Sequence, residues 1–217
     1  MQRLMQWLTG SRSATPPNEN RWVMLDVETS GLNPKHDRLL AIAAIGIQID
    51  WPSQTLQINL DDSFEAVLQQ DHASSHANIL LHGIGVQEQR AGLAPTQALQ
   101  AFRQFVGNSP LLAFHCAFDE TMIQRHMIQH HLGKLSNPWL DLDHLCAVTS
   151  EGVRARALDD WLHYFKIECS VRHQAAADTL AECELLQRIW PRIAAQSRQW
   201  QDVQNLAAQH RWVPRSG

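Results

Sequence analysis

The hydrophobic pattern changes character near residue 77. Before it, apolar runs are dense and short: "RWVMLDVE", "RLLAIAAIGIQID" and "QTLQINL", separated by "TSGLNPKHD" and "WPS". Runs of this length bounded by Gly, Pro, Asn and Asp read as strands, and linkers too short for a crossover make them an antiparallel meander. From about Ala77 the spacing becomes helical. In "APTQALQAFRQFVG", Ala98, Leu99, Phe102, Phe105 and Val106 fall on one face and Gly107 supplies the stop. "PLLAFHCAF" reads as a buried strand ending at Asp119, and "ETMIQRHMIQHHLG" as a helix closed by Gly133. "NPWLDLDHLCAVT" reads as a short strand or a helix start, and "ALDDWLHYFKI" as a helix. "HQAAADTLAECELLQRIWPR" is an Ala- and Leu-rich helix that Pro191 interrupts or kinks. A last amphipathic segment carries Trp200, Val203 and Ala207.

A meander followed by alternating helices and short strands predicts an α/β mixed sheet with helices packed on it. The expected boundaries are an N-terminal appendage and linker over 1–20, a main domain over 21–195 and a helical tail over 196–217. Within the appendage, Leu4, Met5, Trp7 and Leu8 suit a short amphipathic turn ahead of "SRSATPPNEN".

Composition narrows the class. With 217 residues, 44% hydrophobic and 18% charged, the chain can bury a full core. A net charge of −4 argues against a protein that coats nucleic acid through a basic surplus. It leaves room for an enzyme whose metal ions bring the local positive charge. Four cysteines without a CxxC pair read as reduced thiols, and "MQRLMQWLTGSR" lacks the apolar stretch of a secretory signal. No run approaches a membrane span. A soluble, cytoplasmic protein without a membrane partner is expected.

The chemistry sits at strand and helix ends. Asp26 and Glu28 lie two residues apart on the first strand, so their side chains share a face about 7 Å apart along it. Two like charges on a buried face are costly unless a cation joins them. Asp119 ends the buried run and Asp178 opens the long helix. Carboxylates converging from separate segments form an oxygen-rich site suited to Mg²⁺ or Mn²⁺. A pair of such ions can clamp the attacking and leaving oxygens of a phosphodiester. His173 precedes Asp178 by five residues, an offset that sets the two side chains roughly 140° apart in a continuous helix. Both can face one site only if His173 sits in the preceding loop, where an imidazole could take a proton from water.

These motifs resemble those of the DEDDh group of 3′-to-5′ exonucleases. "LDVETSGL" is similar to the first motif at Asp26, Glu28 and Thr29, "AFHCAFDETMI" to the second at Phe118 and Asp119, and "RHQAAADTLA" to the third at His173 and Asp178. "LHGIGVQE" and "ALDDWLHYFKI" resemble intermediate stretches of the epsilon-like proofreading members, so the likeness covers about residues 21–190. It implies a ribonuclease H-like fold and an exonuclease domain over 21–195. It further implies two divalent ions, Mg²⁺ or Mn²⁺, held by Asp26, Glu28, Asp119 and Asp178, with Asp26 bridging. His173 would be the general base, and Thr29 and Leu32 would meet the terminal nucleotide. The implied activity is hydrolysis at nucleic-acid 3′ ends to release nucleoside monophosphates, with DNA favoured over RNA and a polymerase or repair partner in view. An RNA exonuclease of the ribonuclease T or oligoribonuclease type and a catalytically silent nucleic-acid-binding relative stay open. One departure stands out: His115 occupies the usual Asn position of the HNAxFD form.

Other features read as ordinary. His126/His130 and His72/His76 lack an HExxH and suit solvated or nucleic-acid-facing positions. Arg154, Arg156, Lys166 and Arg172 suit a charged surface or the lining of an approach for phosphates, Trp22, Trp139 and Trp161 the core, and Cys116 a small apolar slot.

Overall fold

On the first strand, β1 (Arg21–Thr29), the pleat sends Val23, Leu25 and Val27 to one face and Trp22 and Met24 to the other. Each set joins its own apolar cluster, so both faces of β1 are covered. Asp26 and Glu28 continue the Trp22–Met24 face, where the apolar residues run out. The computed structural model describes residues 16–213. The turn expected at Leu4–Leu8 lies outside them.

β1 pairs antiparallel with β2 (Leu39–Asp50), which pairs antiparallel with β3 (Thr55–Val67). On its other side β1 runs parallel to β4 (Leu111–Ala113), and β4 to β5 (Trp139–Asp141). The order β3-β2-β1-β4-β5 puts β1 at the centre of a five-stranded mixed sheet. Between β3 and β4 come α1 (His76–His82), α2 (Val86–Ala91) and α3 (Pro95–Val106); α4 (Ala117–Gln129) joins β4 to β5. After β5 follow α5 (Leu142–Thr149), α6 (Leu158–Phe165), α7 (Ala175–Ala194), α8 (Trp200–Ala207) and a 3-10 turn over Ala208–Trp212.

The two faces divide the helices. Ala98, Leu99, Phe102 and Val106 of α3 and Met122, Ile123 and Met127 of α4 pack with Leu25 and Ile42. On the opposite face, Leu185, Leu186, Ile189 and Ile193 of α7 pack with Met24, Leu145 and Trp161. Trp22 lies fully buried among Trp51, Trp190 and Trp200, with ring centroids 6.0, 5.7 and 4.9 Å away. The Glu19 carbonyl accepts the indole N–H of both Trp22 and Trp51. Val203 and Leu206 of α8 belong to the same cluster.

Three expectations need correcting. β3 runs to Val67 rather than stopping near Leu60, with a register irregularity at Ile45/Gly46 of its partner. It is an edge strand with one solvated face, so Asp61, Asp62 and Glu65 interrupt the apolar run without ending the ladder. Pro191 lies inside α7, which continues to Ala194. The strand expected to end at Asp119 stops at Ala113. His115 turns the chain with φ 57°, and α4 begins at Ala117, so Asp119 sits in a helix's first turn. Among the described residues no helix is long and apolar enough to cross a membrane.

Candidate active site

Asp26 and Glu28 face α7 across two small residues. Their register partners on β2 are Ala43 and Ala41, and this pair of alanines leaves space beside the acids. Thr179 of α7 reaches that floor, its hydroxyl 3.5 Å from the Ala43 carbonyl. The preceding residue, Asp178, completes a triad. One carboxylate oxygen from each of Asp26, Glu28 and Asp178 lies within 4.8 Å of the others.

Crowding and burial raise the proton affinity of the group. Asp26 is pushed up to about 7 by desolvation and then by the Asp178 charge, against hydrogen bonding to the Val27 backbone. Glu28 is pushed up to about 9 by desolvation, then by Asp26 and Asp178. Asp119 is buried, and its carboxyl is raised well above the usual range by desolvation and by Asp26. It enters from α4, on the β4 side of β1, so three separate elements bring acids to one end of the sheet.

His173 sits in the loop before α7, with φ 61°, as its offset from Asp178 requires. Its backbone N–H donates to Asp178 Oδ2 at 2.9 Å. The residue is exposed, so its backbone joins the cluster while its ring is open to solvent. Thr29 is buried and donates its hydroxyl to the Gly31 carbonyl at 2.7 Å. Leu32, in the following turn, is 87% exposed.

Sequence reasoning missed several residues. Glu182 follows Asp178 by four residues, one turn along the same face of α7. It is buried, its Oε2 has no hydrogen-bond partner, and Asp26, Asp119 and Asp178 all raise its proton affinity after desolvation. The i, i+4 acid pair was its only signal. Arg172, expected on a charged surface or lining a phosphate approach and not tied to the acids, donates from Nη1 to Asp178 Oδ1 and from Nε to Asp159 Oδ1. His82 and Asn78 brace the first motif. The Ile84 N–H donates to His82 Nδ1, His82 Nε2 pairs with Asn78 Oδ1 at 2.8 Å, and Asn78 Nδ2 donates to the Thr29 carbonyl at 2.9 Å.

The other histidines and Cys116 are placed differently. His126, expected to face solvent or nucleic acid, is buried and accepts the Leu39 N–H, which fits a ring whose proton affinity burial lowers to about 4. His115 lies beside Asp143, Nε2 to Oδ2 3.7 Å, while Trp161 donates to Asp143 Oδ1 at 3.0 Å. The Cys116 thiol is pushed up to about 12 by burial and by Asp141, Asp119 and Glu120, so it stays protonated and inert.

Comparison with known proteins places the chain in a family. A family model described as an exonuclease, of the RNase T type, matches residues 23–186. The PolC-type DNA polymerase III of Oceanobacillus iheyensis is 27% identical over 175 residues, covering 81% of this chain and 12% of that protein. The PolC-type enzyme of Streptococcus mutans is 26% identical over 169 residues, covering 78% and 11%. The chain therefore spans only a small part of these relatives. Among solved structures, E. coli exonuclease I in complex with a dT13 oligonucleotide matches with a TM-score of 0.65 and 21% identity, over 80% of this chain and 42% of that one. Its zinc-bound complex with single-stranded DNA gives 0.64 and 20%, over 82% and 43%. The fold is ribonuclease H-like. With all three motifs inside the matched span and in order, the chain belongs to the RNase T family of exonucleases.

Proposed function

We propose that this protein is a divalent-metal-dependent exonuclease that removes nucleoside monophosphates from the 3′ ends of DNA strands. The observation that carries the reading is the crowding of Asp26, Glu28 and Asp178, with Asp119 and Glu182 buried beside them. Carboxylates this close ionise together only when a cation shares the space. The donor set fits such a cation, because every candidate ligand is a carboxylate oxygen, the preference of Mg²⁺ and Mn²⁺. Asp26, Glu28 and Asp178 would hold one ion, and Asp26 with Asp119 a second. When bound, two ions would stabilise the charge on the attacking and leaving oxygens of phosphodiester hydrolysis.

The protein groups have separate tasks. His173, exposed beside Asp178, would accept the proton of the attacking water and release it to solvent. Leu32 offers an apolar surface three residues beyond Thr29, where a terminal base could stack or pack. The Thr29 backbone, held by Asn78, would meet the terminal sugar. DNA is favoured over RNA because the matched relatives are DNA polymerases and the matched exonuclease I structures hold DNA oligonucleotides. A polymerase or repair partner is consistent with those relatives. The exonuclease unit would span 21–195, with the tail from 196 packed on it.

The test uses 5′-labelled single-stranded DNA and RNA of one sequence, with Mg²⁺, Mn²⁺ or EDTA, for wild type and Asp26→Ala. Metal-dependent shortening from the 3′ end, absent in the variant and faster on DNA, is expected. Folded wild-type protein that shortens neither strand with metal present overturns the reading.

A further inference from the structure

Asp178 has neither oxygen free in this structure. Oδ2 receives the His173 N–H, and Oδ1 receives Nη1 of Arg172. The Cys169 thiol adds a weak contact at 3.5 Å to the same Oδ1. Yet Asp178 is one of the three acids whose oxygens converge, so a guanidinium stands against a carboxylate that a divalent ion would need. Arg172 does not rest on Asp178 alone. Its Nε also pairs with Asp159 at the start of α6, and that carboxylate is 65% exposed. The arginine is thus anchored to solvent-facing Asp159 and half-committed to the buried cluster.

We propose that Arg172 is a built-in counter-ion and gate for the metal site, resting on the metal-dependent reading above. In the metal-free protein its charge partly compensates Asp26, Glu28 and Asp178 and competes for Asp178 Oδ1. When a divalent ion enters, Arg172 yields that oxygen and stays tethered by Asp159. The freed guanidinium would stay beside the acids through its Asp159 tether, where it could bind an oxygen of a strand-end phosphate. The gate trades metal affinity in the idle protein for a phosphate contact when substrate is present. Towards the metal ion Arg172 is therefore a positioning residue, acting through Asp178, and its direct contact would be with the substrate phosphate.

The direction of each effect follows from charge. Removing the guanidinium abolishes competition for Oδ1 and leaves the cluster more negative, so both changes tighten cation binding. Removing Asp159 leaves Arg172 with Asp178 as its one acidic partner here, which strengthens the competition. An arginine that only braced the loop would do the reverse, since its loss would loosen Asp178 and weaken the ion.

The experiment measures Mn²⁺ binding by calorimetry, without nucleic acid, at one pH and ionic strength. Wild type is compared with R172Q, R172K, D159N and D178N. The expected dissociation constant falls about tenfold for R172Q and less for R172K, and rises a few-fold for D159N, as one charge competing at a half-buried site implies. With dT oligonucleotide and Mn²⁺, R172Q should raise KM more than it lowers kcat. An R172Q or R172K dissociation constant equal to or weaker than wild type overturns the gate, even though wild type binds Mn²⁺ and D178N does not. Wild type that binds no Mn²⁺ overturns the metal reading itself, and the gate with it. Should R172Q not fold, the R172K and D159N shifts, in opposite directions, carry the same decision.

Discussion

Asp26→Asn should stabilise the metal-free protein, although it removes a residue central to the site. Asp26 moves from an ordinary 3.8 to about 7 because it is desolvated and faces Asp178. A carboxyl whose folded value is raised contributes its stability below the unfolded value, and that contribution is lost as pH climbs through the folded value. For Asp26 the loss runs from about pH 4 to about pH 7, and Glu28 extends it towards about 9. A midpoint displaced by about 3 pH units corresponds to about 4 kcal/mol at full value. As a residue Asp26 is only half-buried, so solvent screening reduces this to about 2 kcal/mol. Asn keeps the shape and a carbonyl oxygen for the Val27 backbone but carries no charge. In EDTA at pH 8 the variant should melt roughly 4–8 °C above wild type, with the gap narrowing at pH 5. Mg²⁺ should raise the wild-type midpoint at pH 8 and leave the variant's unchanged. A variant that melts at or below wild type at pH 8 in EDTA would refute the charge-crowding argument.

Other changes separate chemistry from packing. His173→Ala should cut kcat about 100- to 10,000-fold while keeping the metal-dependent rise in melting temperature, which a thermal scan beside a strand-shortening assay resolves. Trp22→Ala removes the ring at the centre of the tryptophan cluster and should cost about 3–5 kcal/mol in urea unfolding, with Mn²⁺ affinity per folded molecule unaltered. At Gly92 an added Cβ would lie 2.6 Å from the Val67 carbonyl oxygen, a backbone atom that cannot swing aside. Gly92→Ala should therefore lower stability by about 1–3 kcal/mol, measured by denaturant midpoint, and leave the acid cluster's pH response as it is.

How far the sequence foretold this site depends on whether the signal was local. Asp26 and Glu28 were legible because strand alternation is a local rule, and it holds here: positions 22, 24, 26 and 28 share a face that turns from apolar to acidic. His173 was legible for the same kind of reason, since helix geometry forbids it from sharing a site with Asp178 unless the helix begins after it. Asp119 was recognised as an acid of the site but assigned to the wrong element. "LLAFHCAFD" is apolar throughout, and period alone cannot separate a buried strand from a buried helix turn in so short a run. The deciding feature was His115 in the left-handed region, a conformation that residue type only weakly announces.

Glu182 was missed, and the bond of Arg172 to Asp178 was not foreseen, because their meaning is relational. A glutamate in an alanine-rich helix and an arginine in a charged loop have ordinary surface readings. They become informative only once Asp178 is known to face inward, for then the residue one turn later must be buried too, and the loop before it must close over the same carboxylate. One is an acid and the other a base, and they flank Asp178 from either side along the chain. Their roles are therefore coupled through the acids between them: a substitution that neutralises Glu182 should weaken the demand for a cation that Arg172 now meets, and R172Q should tighten Mn²⁺ less in an E182Q background than alone. Equal tightening in both backgrounds would mean that the two residues sense the cluster independently.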